Sequence, residues 1–260
     1  MKIVVCIKQV PATGADKRYT DDLRLDRTGV EAIINPLDEY AIEQALRLVD
    51  AGAADGVTYL SMGPDQAAEA LRRALAMGGD DAVLITDPSL VGADEWATAK
   101  VLAAALDKLA PDVALMGMAS DDARGSLVPG AVAAMRNVPL LSYGSELAVA
   151  DAEARIRRLT ATGFDWIAAP LPVVATVTDQ VGEPRYASLK GIMAAKRKPL
   201  ETWALGDVGL SADDLGGAAL TRVTEARPPE AKGPTERIEN LPAAEAATKI
   251  ADWLAARKLI

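Results

Sequence analysis

Short, β-branched, almost wholly apolar runs that alternate with helical patterns predict an α/β fold, a parallel sheet with helices on both faces. Three observations carry that reading. Runs such as Ile3–Ile7 (IVVCI) and Val113–Met116 (VALM) are apolar at consecutive positions, as strands covered on both faces must be. The stretches between them carry apolar residues at i, i+3, i+4 and i+7, the period of an amphipathic helix. Half of the 260 residues are apolar, enough for a sizeable core and too many for wholesale disorder.

The elements follow in order. Ile3–Ile7 is the first strand. Asp38 is read as the cap of a helix in which Ile42, Ala45, Leu46 and Val49 share a face. Val57–Ser61 (VTYLS) is the second strand. Pro64 starts a helix with Ala67, Leu71, Ala74 and Leu75 aligned. Ala82–Ile85 is the third strand, and Leu102, Ala105, Leu106 and Leu109 mark the next helix. Val113–Met116 is the fourth strand, leading through a polar loop to a helix from about Ser126 to Met135. The crossovers should be right-handed. After Pro139 the pattern changes. Glu146–Ala150 and Arg155–Thr160 alternate about a turn at Asp151–Ala154 and read as a hairpin, and Pro172–Val177 (PVVATV) is one more buried strand. Asp179–Pro199 reads as a long basic loop without a period. Glu225–Pro234, rich in proline and charge, reads as an extended tail, and Ala243–Arg257 as a last helix with Ala247, Ile250 and Leu254 in one stripe.

Composition excludes several functions. Basic residues number 28 and acidic ones 37, for a net charge of −9, which argues against nucleic acid or an anionic membrane as the main partner. The apolar run at the N-terminus is too short to span a bilayer or to serve as a signal peptide, so a cytoplasmic protein without direct membrane insertion is expected. Cys6 is the single cysteine and there is no histidine. An internal disulfide and Cys–His catalysis are thereby ruled out, no metal site is expected, and the commonest general base is missing. No convincing nucleophile or oxyanion constellation is visible, so no catalytic residue is assigned and a self-sufficient enzyme is not expected.

In open α/β sheets, ligands bind outside the carboxyl ends of the strands. Lys8–Thr13, Ser61–Pro64 and Gly117–Ser126 reach that edge. The last of these, GMASDDARGS, is read as ending in Gly125 and Ser126 at a helix start, where free N–H groups and the helix dipole would favour a phosphate, with Arg124 as an added cation. Taken alone, the loop favours the plainer reading of turn glycines and a solvated arginine, since it has no GxGxxG or Walker pattern. Asn35, just before a helix, could bond a ribose or a purine edge, or belong to simple capping around Asp38. Cys6 reads as a small core residue. Asp121 and Asp122 are adjacent, point apart in most conformations, and make a poor acid–base pair. Lys196-Arg197-Lys198 is a solvated charge run or a dock for an acidic partner.

Taken together and in order, these segments resemble the β subunit of electron transfer flavoprotein. The likeness lies in KIVVCIKQVP, RLDRTGV (Arg24–Val30), NPLDEYAIEQALRL (Asn35–Leu48), the Leu60–Ile85 block with ALAMGGD (Ala74–Asp80), LPVVATV and GEPRYASLKGIMAAKRKPLE (Gly182–Glu201). It weakens after Gly206. EPRYASLKGIM is its most specific part. The sequence departs from the family in the polar loop, where Asp122-Ala123-Arg124-Gly125 stands for Asp-Gly-Asp-Thr, and in Pro11-Ala12, where Pro-Asp is usual.

The resemblance implies a fold like the adenine-nucleotide α-hydrolases, with strand order 3-2-1-4-5, and a heterodimer whose α subunit holds most of a redox-active FAD. It implies a structural AMP in this chain, or a second FAD in electron-bifurcating members. Carried over by residue, the nucleotide site would use Cys6, Asn35, Pro36, Leu37, Asp38 and Met62. It would also use the loop of Gly117, Met118, Ala119, Ser120, Asp121, Asp122, Ala123, Arg124, Gly125 and Ser126. The segment 179–199 would be the recognition loop, docking flavin-dependent dehydrogenases through an exposed Leu189 within a basic collar of Arg185, Lys190 and Lys196. Electrons, from fatty acid oxidation among other sources, would pass to a membrane quinone oxidoreductase or similar acceptor. Residues 1–200 would form the nucleotide-binding domain, and 201–260 an extension whose helix docks on the partner subunit. A stand-alone ATP-binding module on the same fold is the reading of a different class; the basic loop and the tail tell against it.

Overall fold

A computed structural model describes residues 1–15, 18–215, 219–227, 233 and 235–260. Its elements in chain order are β1 (Lys2–Cys6), β2 (Gln9–Pro11), β3 (Ala32–Ile34), α1 (Pro36–Asp50), β4 (Gly56–Met62), α2 (Ala68–Met77), β5 (Asp81–Ile85), α3 (Glu95–Leu109) and β6 (Val113–Gly117). They continue with α4 (Val128–Arg136), β7 (Leu140–Ala150), β8 (Glu153–Thr160), β9 (Gly163–Pro170), β10 (Val173–Val177), α5 (Leu189–Ala195), β11 (Leu200–Trp203) and α6 (Ala243–Ala256). The chain divides into two compact units, Met1–Thr224 and Glu225–Ile260.

In the first unit the sheet runs β11-β5-β4-β1-β6-β10-β7-β8-β9. Its middle, β5-β4-β1-β6-β10, is the expected order 3-2-1-4-5, and every pairing there is parallel. The apolar runs explain the layering. Ile3 and Val5 of β1 enter one core beneath α1 and α2, with Ile42, Leu46, Leu71 and Leu75. Val4 and Cys6 point the other way, into a second core with Leu102, Leu106 and Val132 of α3 and α4. Each such fully buried aliphatic side chain contributes roughly 1.5–3 kcal/mol, which is why none of these strands alternates with polar residues.

The hairpin expected across Asp151–Ala154 is present as β7 and β8, antiparallel from Ala150↔Glu153 to Gly144↔Arg158. A third strand, β9, extends it, and β11 pairs with β5 at the opposite edge. Four expectations need correction. Asp38 is not the cap of α1: Asn35 holds that position, Pro36 follows at N1, and Asp38 lies inside the first turn with its side chain turned back to the sheet. Pro64 opens a single 3-10 turn, Asp65–Ala67, before α2 begins at Ala68. Helix α4 begins at Val128 rather than Ser126, because Arg124 (φ 52°) and Ser126 (φ 54°) sit in the left-handed region, which a right-handed helix excludes. The segment 179–199 is not an aperiodic loop. It carries α5, capped by the Ser188 hydroxyl, which accepts from the Gly191 N–H at 3.0 Å.

In the second unit, the Trp253 indole N–H donates to Glu236 Oε2 at 2.9 Å, and the Arg257 guanidinium stacks on the same indole. The tail expected over Glu225–Pro234 lies partly outside the described residues. Among the described residues no helix is long and apolar enough to cross a membrane.

Candidate functional site

The carboxyl ends of β1, β4, β6 and β10 share one edge of the sheet, where such folds bind their ligands. Two buried side chains from the start of α1 organise that edge. Asn35 Nδ2 donates to the Ala119 carbonyl at 2.9 Å, and its Oδ1 accepts from the Asp121 N–H at 3.0 Å. Its amide is therefore spent within the protein, clamping the Gly117–Ser126 loop to the helix. Asp38 Oδ2 accepts from the Lys8 N–H at 2.8 Å, and the Gly117 N–H bonds the same carboxylate. One side chain thus ties the ends of β1 and β6 to α1. Burial pushes the Asp38 carboxyl up to about 7, against the pull of its bonds to Lys8, Asn35 and Gly117. Gly117 fits because it has no side chain: a Cβ there would lie 2.5 Å from the Leu37 carbonyl oxygen and 2.6 Å from Asp38 Oδ1.

Asp122 is the centre of charge. Its side chain is 1% exposed, accepts from Lys8 Nζ at 2.9 Å and forms a second ion pair with the Arg27 guanidinium. Burial opposes its charged form. The Lys8 charge, Arg27 and the Ser120 hydroxyl outweigh that and hold it down at about 2. Two cations meet one carboxylate, and Lys8 and Arg27 remain 41% and 45% exposed, so the patch keeps positive charge reachable from water. The ammonium of Lys8 and the guanidinium of Arg27, each with further N–H groups beyond the one on Asp122, are a donor set that fits an anionic phosphate.

The remaining loop residues divide. Asp121 turns the other way from Asp122, to Arg124 at 3.1 Å, so the adjacent carboxylates do not act as a pair. Arg124 is 75% exposed and lies four residues ahead of α4, so the helix start expected to bring it to a phosphate is not there. The Ser126 hydroxyl donates to the Met118 carbonyl at 3.1 Å, closing the loop on itself. Ala123 and Gly125 are exposed, and Met62 is partly buried against the second core. Cys6 is buried, and desolvation followed by the charge of Asp38 pushes its thiol up to about 12, which leaves it an inert core residue.

The second candidate surface is α5. Leu189, its first residue, is 83% exposed; Tyr186 and Met193 also project into water, with Lys190 and Lys196 exposed beside them. Arg185, expected in the same collar, differs from these lysines in being partly buried and ion-paired. Its guanidinium is engaged by Glu43 Oε2 at 2.8 Å and Asp50 Oδ2 at 2.8 Å. Between α1, α2 and this segment runs a groove of about 960 Å³, floored by Ile34 and Ala76 and flanked by Arg73 and Tyr186. Sequence reasoning missed Arg27, Lys8 as a side chain of the site, and Glu43; none stands out by pattern, since each gains its meaning from a partner far along the chain.

Comparison with known proteins gives the family. Residues 22–208 match the family model described as the electron transfer flavoprotein domain. The chain is 36% identical to the electron transfer flavoprotein subunit beta of Mycobacterium bovis over a 265-residue alignment covering 99% of each. It is 36% identical to the same subunit of Clostridium acetobutylicum, with 98% of each covered. It is also 36% identical to the caffeyl-CoA reductase-Etf complex subunit CarD of Acetobacterium woodii, with 100% of each covered.

Proposed function

The chain belongs to the electron transfer flavoprotein β-subunit family, and from that premise we propose that it is the non-catalytic half of a heterodimeric electron carrier. It completes an FAD site held mainly by the α subunit, binds AMP as a structural ligand, and receives flavin-dependent dehydrogenases on α5. When bound, FAD supplies the redox chemistry; this chain's residues bind, orient and dock. The cationic patch of Lys8 and Arg27 around Asp122 supports an adenine-nucleotide phosphate at the sheet edge, with the Asn35 and Asp38 ties shaping the loop that would enclose it. Two surfaces suit the α subunit. Strand β9, last in the sheet, exposes Phe164 and Trp166, and α6 carries the Ala247, Ile250 and Leu254 stripe.

The observation that carries the docking role is Leu189, a leucine turned outward at the start of a helix, with lysines beside it in a protein of net charge −9. Apolar anchors of this kind supply binding, and the surrounding charge supplies encounter rate. The test is electron transfer from a flavin-dependent dehydrogenase to the heterodimer as the concentration of heterodimer is varied. Leu189→Ala should raise KM at least about ten-fold with FAD content unchanged. Normal transfer by a variant that melts several degrees lower would return Leu189 to the core and end the docking reading.

A second reading has one observation behind it, the equal identity to the caffeyl-CoA reductase-Etf complex subunit. On that reading the chain is resident in a reductase complex, and a second FAD takes the place of AMP.

A further inference from the structure

We infer that Glu43 is a positioning residue for partner docking: a buried carboxylate on α1 that fixes the chain leading into α5, and with it the direction in which Leu189 points. This rests on the docking role proposed for α5. Glu43 lies in the middle of α1 with its side chain 6% exposed, an unusual place for a carboxylate unless its charge is fully used. Here it is. Oε2 accepts from the Arg185 backbone N–H at 3.0 Å and from Arg185 Nε at 2.8 Å, and Oε1 accepts from Arg47 Nε at 2.7 Å. Arg47, one turn further along α1, donates in turn to the carbonyls of Val181 and Glu183. Asp50 takes the free side of the Arg185 guanidinium.

Three backbone groups of the segment 181–185 are therefore held by two side chains of one helix. That segment precedes the exposed Tyr186 and the cap of α5 by one to three residues. The far end of α5 is tied separately, by Arg72 Nη1 donating to the Ala195 carbonyl at 2.6 Å and to the Lys198 carbonyl at 2.7 Å. Close packing holds the middle, since a Cβ on Gly191 would lie 2.3 Å from the Ala76 carbonyl oxygen. With its end and middle fixed elsewhere, the approach to α5 depends on Glu43, directly at Arg185 and through Arg47 at Val181 and Glu183. Removing its charge leaves Arg185 and Arg47 without their shared carboxylate, with one acceptor oxygen where there were two, and lets the segment from 181 to Leu189 sample other paths.

The experiment uses the FAD-loaded heterodimer and a flavin-dependent dehydrogenase, with Glu43→Gln, Leu189→Ala and the double variant. Glu43→Gln should raise KM about ten-fold, the scale of one lost charge-assisted hydrogen bond, and leave turnover at saturation unchanged. Amide exchange of residues 186–190 should speed up. Because Glu43 acts through Leu189, the double variant should be no worse than Leu189→Ala alone. Arg185→Met, which perturbs the network from its half-exposed side, should raise KM in the same way and serves if Glu43→Gln does not fold. Multiplicative effects in the double variant, or an unchanged KM in Glu43→Gln or Arg185→Met while Leu189→Ala raises it, overturn the positioning role alone. An unchanged KM in Leu189→Ala overturns the docking role and the positioning role together.

Discussion

Replacing Asp122 by asparagine tests the electrostatic centre of the site. The carboxyl titrates at about 2 against an ordinary value of 3.8, because Lys8 and Arg27 outweigh the cost of its burial. A gap of about 1.8 pH units is worth about 2.4 kcal/mol at 1.36 kcal/mol per unit. Lys8 and Arg27 are close to half exposed, so water and salt reduce this to about 1–2 kcal/mol. The sign follows from linkage. A carboxylate whose value is lower in the folded state stabilises the fold fully above its unfolded value, near pH 4, and loses that contribution as pH falls toward 2. Asp122→Asn should therefore cost about 1–2 kcal/mol at pH 7, a fall in melting temperature of roughly 2–8 °C for a chain of this size. The gap from the unmodified protein should hold from pH 7 down to about 4 and narrow below that. Urea denaturation followed by circular dichroism at pH 7, 5, 4 and 3 reads both. A gap of equal size at pH 3 and pH 7, or none at pH 7, would refute the ion-pair account.

Arg124→Ala should change both stability and nucleotide retention by less than about 0.5 kcal/mol, since the guanidinium is largely in water and paired with its neighbour Asp121; a ten-fold loss of retained nucleotide would restore it to the site. Gly117→Ala should destabilise by about 1–3 kcal/mol or more, because the new methyl would meet the Leu37 carbonyl at 2.5 Å and separate β6 from α1. Thermal melting decides that, and a melt unchanged within a degree would contradict the close approach. Trp166→Ala should weaken the heterodimer at least ten-fold, measured by titration of the α subunit, while the melt of this chain alone stays near its starting value.

The sheet was legible in the sequence where burial alone decides structure. Five strands apolar on both faces can only sit in the middle of a covered sheet, and α1 announces itself through Ile42, Ala45, Leu46 and Val49. Strand β9 was not legible because its large residues, Phe164 and Trp166, face water, where a pattern written for burial has nothing to say. Helix α5 escaped for the same reason: it is seven residues long, and its apolar side chains at Leu189 and Met193 point outward. The candidate edge could be placed on the sheet, since the Gly117–Ser126 loop follows a central strand. Its chemistry could not, because the bonds that set it are non-local. Asp122 meets Arg27 and Lys8 across 95 and 114 residues of sequence, and Glu43 meets Arg185 across 142. The helix start expected beside Arg124 was misplaced because the left-handed turns at Arg124 and Ser126, which no hydropathy pattern reveals, delay the helix to Val128.

In the proposed function, this chain completes a flavin site that it cannot form alone and holds an adenine nucleotide of its own. Counting cofactors decides that: the visible spectrum of the purified heterodimer and of this chain alone, followed by heat release and identification of the nucleotides. One FAD and one AMP per heterodimer, with adenine nucleotide but no flavin on the isolated chain, is the predicted result. A yellow, FAD-loaded preparation of this chain alone, or a heterodimer without flavin, would contradict it, and two FAD without AMP would replace it with the second reading.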